Sequence, residues 1–395
     1  MNKRLGLALN GGGFTGYLFE IGALTALDDL FEDGFTVNDF DFYVGVSAGS
    51  AAAALMANGV KADEILRANL TGERPYYFQR RDIFVPAVGE GIKSLARAIQ
   101  QLSPVIKLYY QHRREMGLID LLEKAQETLP GGIYTLDPFA RYLEATFAHK
   151  GLSNVFATVL HDLYIPAIDL ESGDMVMFGD EGWSDVLVSK AVTASSAAPV
   201  YFCPVRIGDR DYIDAGIGRL ACFELAAKKD VDFMMIIHPS SYAGSAFEPR
   251  PVPTSCSVRR HRGFLSIAEQ ASRINLEARF SLAFDYHRRE TPDRFFVVCP
   301  DRAERDLFER CFLSFRDRLH LIRCGYLAVV KAMNEQFGRI QPILAQHGVS
   351  ISMAKLEERT KGWLEHFAAE KQTDVNRESL VVSRYGGGQL SDAPL

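Results

Sequence analysis

The stretch from Asp41 to Ser50 constrains this chain more than any other. An apolar run rich in β-formers (Phe42, Tyr43, Val44, Val46) ends at Ser47, and a run of small residues with helical character, Ser50 to Met56, follows at once. Gly45-Val46-Ser47-Ala48-Gly49 therefore reads as a G-x-S-x-G turn between a strand and a helix. So sharp a reversal requires that no Cβ stand where strand and helix pass each other, which is the part Gly45 and Gly49 play. The Ser47 hydroxyl is then lifted above the sheet edge at the positive end of a helix, a position suited to a nucleophile. The pentad alone also occurs as a glycine-rich turn with an incidental serine; the strand before it and the helix after it favour the chemical reading.

A second glycine cluster precedes it. Leu5–Leu9 reads as a buried first strand and runs into Asn10-Gly11-Gly12-Gly13-Phe14-Thr15-Gly16. A helix follows, with apolar positions at Leu18, Ile21, Leu24 and Leu27. Strand, glycine loop and helix together form a cradle of backbone N–H groups for an anion. Gly11, Gly13 and Gly16 also spell the G-x-G-x-x-G of dinucleotide-binding folds. That reading needs an acidic residue at the end of the second strand, where this chain has the Ser47 turn instead.

Further along, residues 61–75 read as a helix and a loop. Residues 86–130 are amphipathic and largely helical (Ile92, Leu95, Ile99, Leu102), interrupted at Pro104. Such a segment covers a sheet face or acts as a lid or lipid-contacting surface. Asp137 and Pro138 read as the cap and first position of another helix. The pattern then turns β-like: Phe156–Leu160 and Leu163–Asp169 as strands, and Glu171–Asp174 as a turn into Met175–Phe178. A helix is expected over Ser184–Ser195. A hairpin turned at Gly208-Asp209 should end in Tyr212-Ile213-Asp214-Ala215-Gly216, and Phe233–His238 should form another buried strand.

Residues 239–262 are rich in Pro, Ser and Arg and close with the basic cluster Arg259-Arg260-His261-Arg262. That cluster reads as a solvated loop or as a contact for lipid head groups. Amphipathic helices then alternate with one strand, Phe295–Cys299. No internal repeat is visible. The expected organisation is a catalytic core over 1–240 with a helical cover inserted at 76–130, a loop or insertion at 241–262, a helical part over 263–370 packed on the core, and a polar tail at 371–395 expected to be disordered.

The 395 residues are 47% hydrophobic and 24% charged, which allows a sizeable core. A net charge of -6 speaks against a general nucleic-acid binder. The six cysteines form no C-x-x-C pair, as expected of free thiols in a reducing compartment. The N-terminus shows no signal-peptide pattern, and no run approaches the ~18 apolar residues of a membrane span. The expectation is a cytoplasmic protein of unknown oligomeric state, with peripheral membrane contact and signal-independent export left open.

A nucleophilic serine needs a base and an oxyanion hole. Gly11, Gly12 and Gly13 supply donors if their loop lies beside Ser47, as adjacent strand ends in a parallel sheet would place it. None of the nine histidines sits in a strand-end motif of triad type. Asp214 does: it follows an apolar run and precedes a turn of small residues, and a desolvated carboxylate can take a serine proton directly. His149 or His161 would be the base under an acyltransferase-like Ser-His reading. A catalytically weak protein that binds lipid or a partner is the other alternative.

Taken in order, these pieces resemble the patatin-like phospholipase family over roughly residues 5–240. Gly11-Gly12-Gly13-Phe14-Thr15-Gly16 resembles its oxyanion loop, Gly45–Gly49 its nucleophile elbow and Asp214-Ala215-Gly216 its aspartate turn; Ala194–Pro204 resembles the stretch that leads to that aspartate. The resemblance implies a three-layer α/β/α sandwich around a mainly parallel sheet. It implies a Ser47–Asp214 dyad that hydrolyses lipid or other carboxylic acyl esters without histidine, metal, calcium or cofactor. Gly11, Gly12 and Gly13 would hold the oxyanion, with Gly16, Gly45, Gly49 and Gly216 supporting the turns. Two positions depart from the family pattern: Thr15 stands where Arg or Lys is usual, and Ala215 where Gly is usual, which matters if that position needs a positive φ.

Overall fold

The computed structural model describes residues 4–87, 131–218, 220–239, 263–300 and 318–365. Among them, the main sheet gathers strands from nearly the whole length of the chain. Five parallel strands run in the order β11 (Phe295–Val298), β10 (Phe233–Ile237), β1 (Leu5–Leu9), β2 (Phe42–Gly45) and β5 (Asp162–Asp169). The edge beyond β5 turns antiparallel, through β9 (Arg210–Asp214) and then β8 (Val205–Ile207), while β6 (Met175–Phe178) also pairs antiparallel with β5.

Strand periodicity explains the layers. Leu5, Leu7, Leu9, Tyr43, Phe233, Met235, Ile237, Phe296 and Val298 share one apolar cluster, whereas Ala8, Phe42, Val44, Met234, Ile236, Phe295 and Val297 share another. Successive side chains of a strand point to opposite faces, so both faces are covered by apolar partners, as parallel sheets require. The first face carries α1 (Gly13–Leu30), α2 (Ala48–Ala57), α6 (Val188–Ser195) and α9 (Arg318–Gln346). The second carries α7 (Ala221–Lys228) and buried residues of α8 (Phe264–Glu290), among them Phe280. The result is an α/β/α sandwich around a mainly parallel sheet, as expected. Helices α1 and α9 lie against each other where glycines meet backbone: a Cβ on Gly22 would strike the Ile322 carbonyl, and one on Gly325 the Phe19 carbonyl.

A smaller three-stranded sheet lies beside this sandwich. β3 (Val85–Pro86) pairs antiparallel with β4 (Gly132–Thr135), which pairs parallel with β7 (Val200–Phe202). The two flanks of the expected helical cover are thus tied together, while its body at 88–130 lies outside the described residues. The basic cluster at Arg259–Arg262 and the tail at 371–395 also lie outside them. No described helix is long and apolar enough to cross a membrane.

Three local expectations are corrected. Phe156–Leu160 is not a strand: Phe156–Thr158 forms a 3-10 turn in which the Thr158 N–H donates to the Val155 carbonyl at 3.0 Å, and the neighbouring strand starts at Asp162. The helix expected from Ser184 starts at Val188. Asn154, distant in sequence, supplies its cap by accepting the Ser189 N–H on Oδ1 at 2.8 Å and the Val188 N–H on its carbonyl at 2.9 Å. Asp137 is the first residue of α5 (Asp137–Lys150) rather than its cap, a position taken by Leu136.

Candidate active site

Register brings the two glycine motifs together. Leu9 pairs with Gly45, and the Val46 N–H donates to the Leu9 carbonyl at 2.9 Å, so both strands release their loops at the same sheet edge. Gly11, Gly12 and Gly13 have φ of 72°, 100° and 69°, a left-handed run that side chains disfavour. Space demands glycine as well: a Cβ on Gly11 would fall 3.0 Å from the Ser47 Cβ and strike the Val46 carbonyl. Within the elbow, a Cβ on Gly45 would lie 2.5 Å from the Ser50 Cα, and one on Gly49 2.8 Å from the Gly11 nitrogen. The G-x-S-x-G pentad is therefore packed against the glycine loop, not merely near it.

Ser47 itself sits at φ 53°, ψ -131°, a strained conformation for a residue with a side chain. Its backbone N–H donates to Ser195 Oγ at 2.9 Å and its hydroxyl to Asp214 Oδ2 at 2.6 Å. Asp214 arrives from the antiparallel edge, opposite Ala167 of β5, and its own N–H donates to the Ala197 carbonyl at 3.1 Å. The other carboxylate oxygen accepts the Gly216 N–H at 2.7 Å. Burial raises the Asp214 pKa to about 6, against the lowering effect of the Ser47 and Gly216 bonds. Ala215 fits without strain, since its φ is not positive and it opens the 3-10 turn Ala215–Ile217. Thr15 is buried, and its hydroxyl donates to the Gly12 carbonyl at 3.2 Å.

The glycine loop is less uniform than its sequence suggests. The Gly11 N–H donates at 2.7 Å to Oε1 of Glu20, a fully buried glutamate of α1, and so is already engaged. The N–H groups of Gly12, Gly13 and Ala48 take no acceptor among the described residues. Gly12 and Gly13 open the 18-residue helix α1 and Ala48 opens α2, so these donors sit at the positive ends of two helices. Glu20 and Ser195 were missed in the sequence. The signal for Glu20 was a lone acid inside the apolar run Leu18-Phe19-Glu20-Ile21; Ser195 lay inside the stretch that led to Asp214.

Burial pushes the Glu20 carboxyl well above the usual range, against the lowering effect of the Gly11 N–H bond. Glu20→Gln preserves an acceptor for Gly11 and should fold and turn over within about tenfold of the parent. Glu20→Leu strands a buried N–H, at a cost of about 1–3 kcal/mol, and frees the loop. Thermal melts read alongside kcat check this contrast.

A pocket opens from Ser47 and reaches Phe202 of the small sheet. It holds about 550 Å³ of empty space, part of it open to solvent. Gly13, Ser47 and Ala48 form one end, and Phe14, Tyr17, Phe78, Phe84, Phe139 and Phe202 form most of the wall. Among the described residues, no charged side chain lines it, and the Ser196 hydroxyl, which does, is buried without a partner. None of the described histidines lines the pocket. His149 is in the last turn of α5, and His161 meets the Tyr43 ring edge-on at 5.8 Å. His238 is buried, 3.3 Å from Asn10 Nδ2.

A nucleophile-elbow turn on an α/β/α sandwich, with a carboxylate on the serine and an apolar pocket beside it, defines a class of hydrolase-like folds. The profile of the patatin-like phospholipase family matches residues 7–223, more than half of the chain. The chain belongs to that family, which places it among lipid hydrolases. Similar solved structures include VipD of Legionella pneumophila, at 14% identity and TM-score 0.40, covering 85% of this chain and 67% of that one. ExoU, a type III effector, is similar at 13% identity and TM-score 0.37, covering 99% and 67%. In the complex of SpcU with ExoU from the type III secretion system of Pseudomonas aeruginosa, the match is 16% identical with TM-score 0.33, covering 99% and 65%. The chain thus spans about two thirds of the length of these proteins. No curated protein sequence matches it.

Proposed function

We propose that this chain is a phospholipase A-type lipid acyl hydrolase in which Ser47 is the nucleophile and Asp214 its base. The observation that carries the reading is the 2.6 Å hydrogen bond from Ser47 Oγ to a buried carboxylate, at the mouth of an apolar pocket. Ser47 Oγ attacks the ester carbonyl carbon while its proton passes to Asp214 Oδ2. The N–H groups of Gly12 and Gly13, with that of Ala48, receive the negative charge that develops on the carbonyl oxygen. Gly11 shapes the loop through Glu20 and donates nothing to substrate. The alcohol or lysolipid then leaves with the proton from Asp214. Water attacks the acyl-enzyme, gives its proton to Asp214, and the fatty acid is released as Ser47 is reprotonated.

The acyl chain lies against Phe14, Phe78, Phe139 and Phe202. Burying a methylene there is worth about 0.8 kcal/mol, so medium-chain chromogenic esters should be better substrates than acetyl esters. An organophosphonate bearing an alkyl chain should add once, and peptide mass mapping should place the adduct on Ser47. An adduct elsewhere, or hydrolysis that survives complete labelling of Ser47, overturns the assignment. Substituting His149 and His161 by Gln should leave kcat within about tenfold, whereas a histidine base would lose about a hundredfold or more.

A further inference from the structure

The turn that carries Asp214 is held by an element outside the span matched by the family profile. Helix α8, Phe264–Glu290, begins forty-one residues beyond Phe223, where that match ends. From it, Arg279 Nη2 donates to the Gly216 carbonyl at 2.7 Å and Nη1 to the Ile217 carbonyl at 2.8 Å, with a further bond from Nη1 to the Gly218 carbonyl. These are carbonyls of the 3-10 turn and its end, which the turn does not satisfy by itself. The planar guanidinium fork answers all three, and a charged donor makes each bond stronger than a neutral one.

Two more contacts fix where the helix stands. The next residue, Phe280, is fully buried and stacks on His238 with ring centroids 3.8 Å apart. Ten residues before Arg279, Glu269 accepts the Tyr201 hydroxyl at 3.2 Å, beside the pocket residue Phe202. The same turn reaches the chemistry directly, since the Gly216 N–H holds Asp214 Oδ1 at 2.7 Å. Residue 216 is therefore held on both sides of its Cα, its N–H by Asp214 and its carbonyl by Arg279.

We propose that Arg279 is a positioning residue that keeps the Asp214 turn in register with Ser47, so that this site depends on a helix outside the family-matched core. The inference rests on the reading of Asp214 as the base. A displacement of about 1 Å at a reacting group can cost about a hundredfold in rate, and Arg279→Ala should lose about that much in kcat with KM little changed. It should also shift the acid limb of the kcat/KM profile to higher pH, because a loosened Gly216 N–H no longer favours ionised Asp214. A merely structural arginine would lower the melting temperature without moving that limb.

The test measures kcat, KM, the pH profile and melting temperature for Arg279→Ala, Arg279→Gln and Arg279→Lys beside Asp214→Asn. Ethylguanidine added to Arg279→Ala should restore part of kcat and return the limb toward its parent position. If Arg279→Ala does not fold, Arg279→Lys, which keeps the charge but cannot fork across three carbonyls, decides by the same limb. A folded variant with parental kcat and an unmoved limb overturns the inference while an inactive Asp214→Asn leaves the dyad reading standing. An active Asp214→Asn removes that reading itself.

Discussion

Replacing Ser47 by alanine should lower ester hydrolysis by about 10⁴-fold or more, the scale seen when a serine nucleophile is removed from a hydrolase, and replacing it by glycine should do the same. The two variants should part company in stability. Both lose the hydroxyl that donates to Asp214, so that loss cancels between them. What remains is the backbone: Ser47 stands at φ 53°, ψ -131°, where a residue with a Cβ is strained by about 1–3 kcal/mol. Alanine keeps that strain and glycine relieves it, against a cost of about 0.5–1 kcal/mol for the extra freedom glycine has in the unfolded chain. Ser47→Gly should therefore be the more stable of the two by about 1 kcal/mol in denaturant titrations. The strained turn would then be a stability sacrifice made to aim the hydroxyl. If Ser47→Gly proves the less stable, the elbow is held by packing around Gly45 and Gly49 and stores no strain at Ser47.

Much of this arrangement was legible because it is local. A strand, a glycine loop and a helix each leave short-range patterns, and Gly11, Gly45, Ser47 and Gly49 are where those patterns meet. The alternation Leu5, Leu7, Leu9 against Gly6 and Ala8 is a run of five apolar or small residues, which is what a strand buried on both faces must be. What could not be read depends on partners far away in the chain. The start of α6 is set by Asn154, thirty-five residues before Ser189, so no local cap marks it. The Gly11 N–H looked free because Glu20 returns to it only once α1 has formed. Arg279 lies sixty-three residues after Gly216, and nothing in its own neighbourhood distinguishes it from the other arginines of α8. Asp214 itself was found from its strand-end position, but its burial, which sets its chemistry, follows from the packing of β5, α6 and the Ala197 carbonyl around it.

Asp214→Asn should lower kcat by about 10²–10⁴-fold, the range for a general base, and at neutral pH should make the protein more stable. Burial raises the wild-type carboxyl to about 6 in the fold, against its ordinary 3.8. The sign follows from linkage: between those values the folded chain holds a proton that the unfolded chain releases, so stability falls as pH rises through this window and stays reduced above it. At 1.36 kcal/mol per pKa unit the deficit approaches about 3 kcal/mol. Asparagine carries no charge and escapes it. Its Oδ1 can accept the Gly216 N–H while its amide donates to the Ser47 oxygen, so both hydrogen bonds survive with the serine proton turned elsewhere. The stability gap between Asp214→Asn and the parent should therefore be small at pH 4, open between pH 4 and about 6, and stay level above that. Activity of the parent should rise over the same interval, because only the ionised carboxylate can take the Ser47 proton. Denaturant titrations of both proteins across pH 4–8, with kcat/KM of the parent on the same axis, test both at once. A gap that is independent of pH would mean that Asp214 is not desolvated in the fold, and a rate limb well away from the stability transition would mean that some other group limits the reaction.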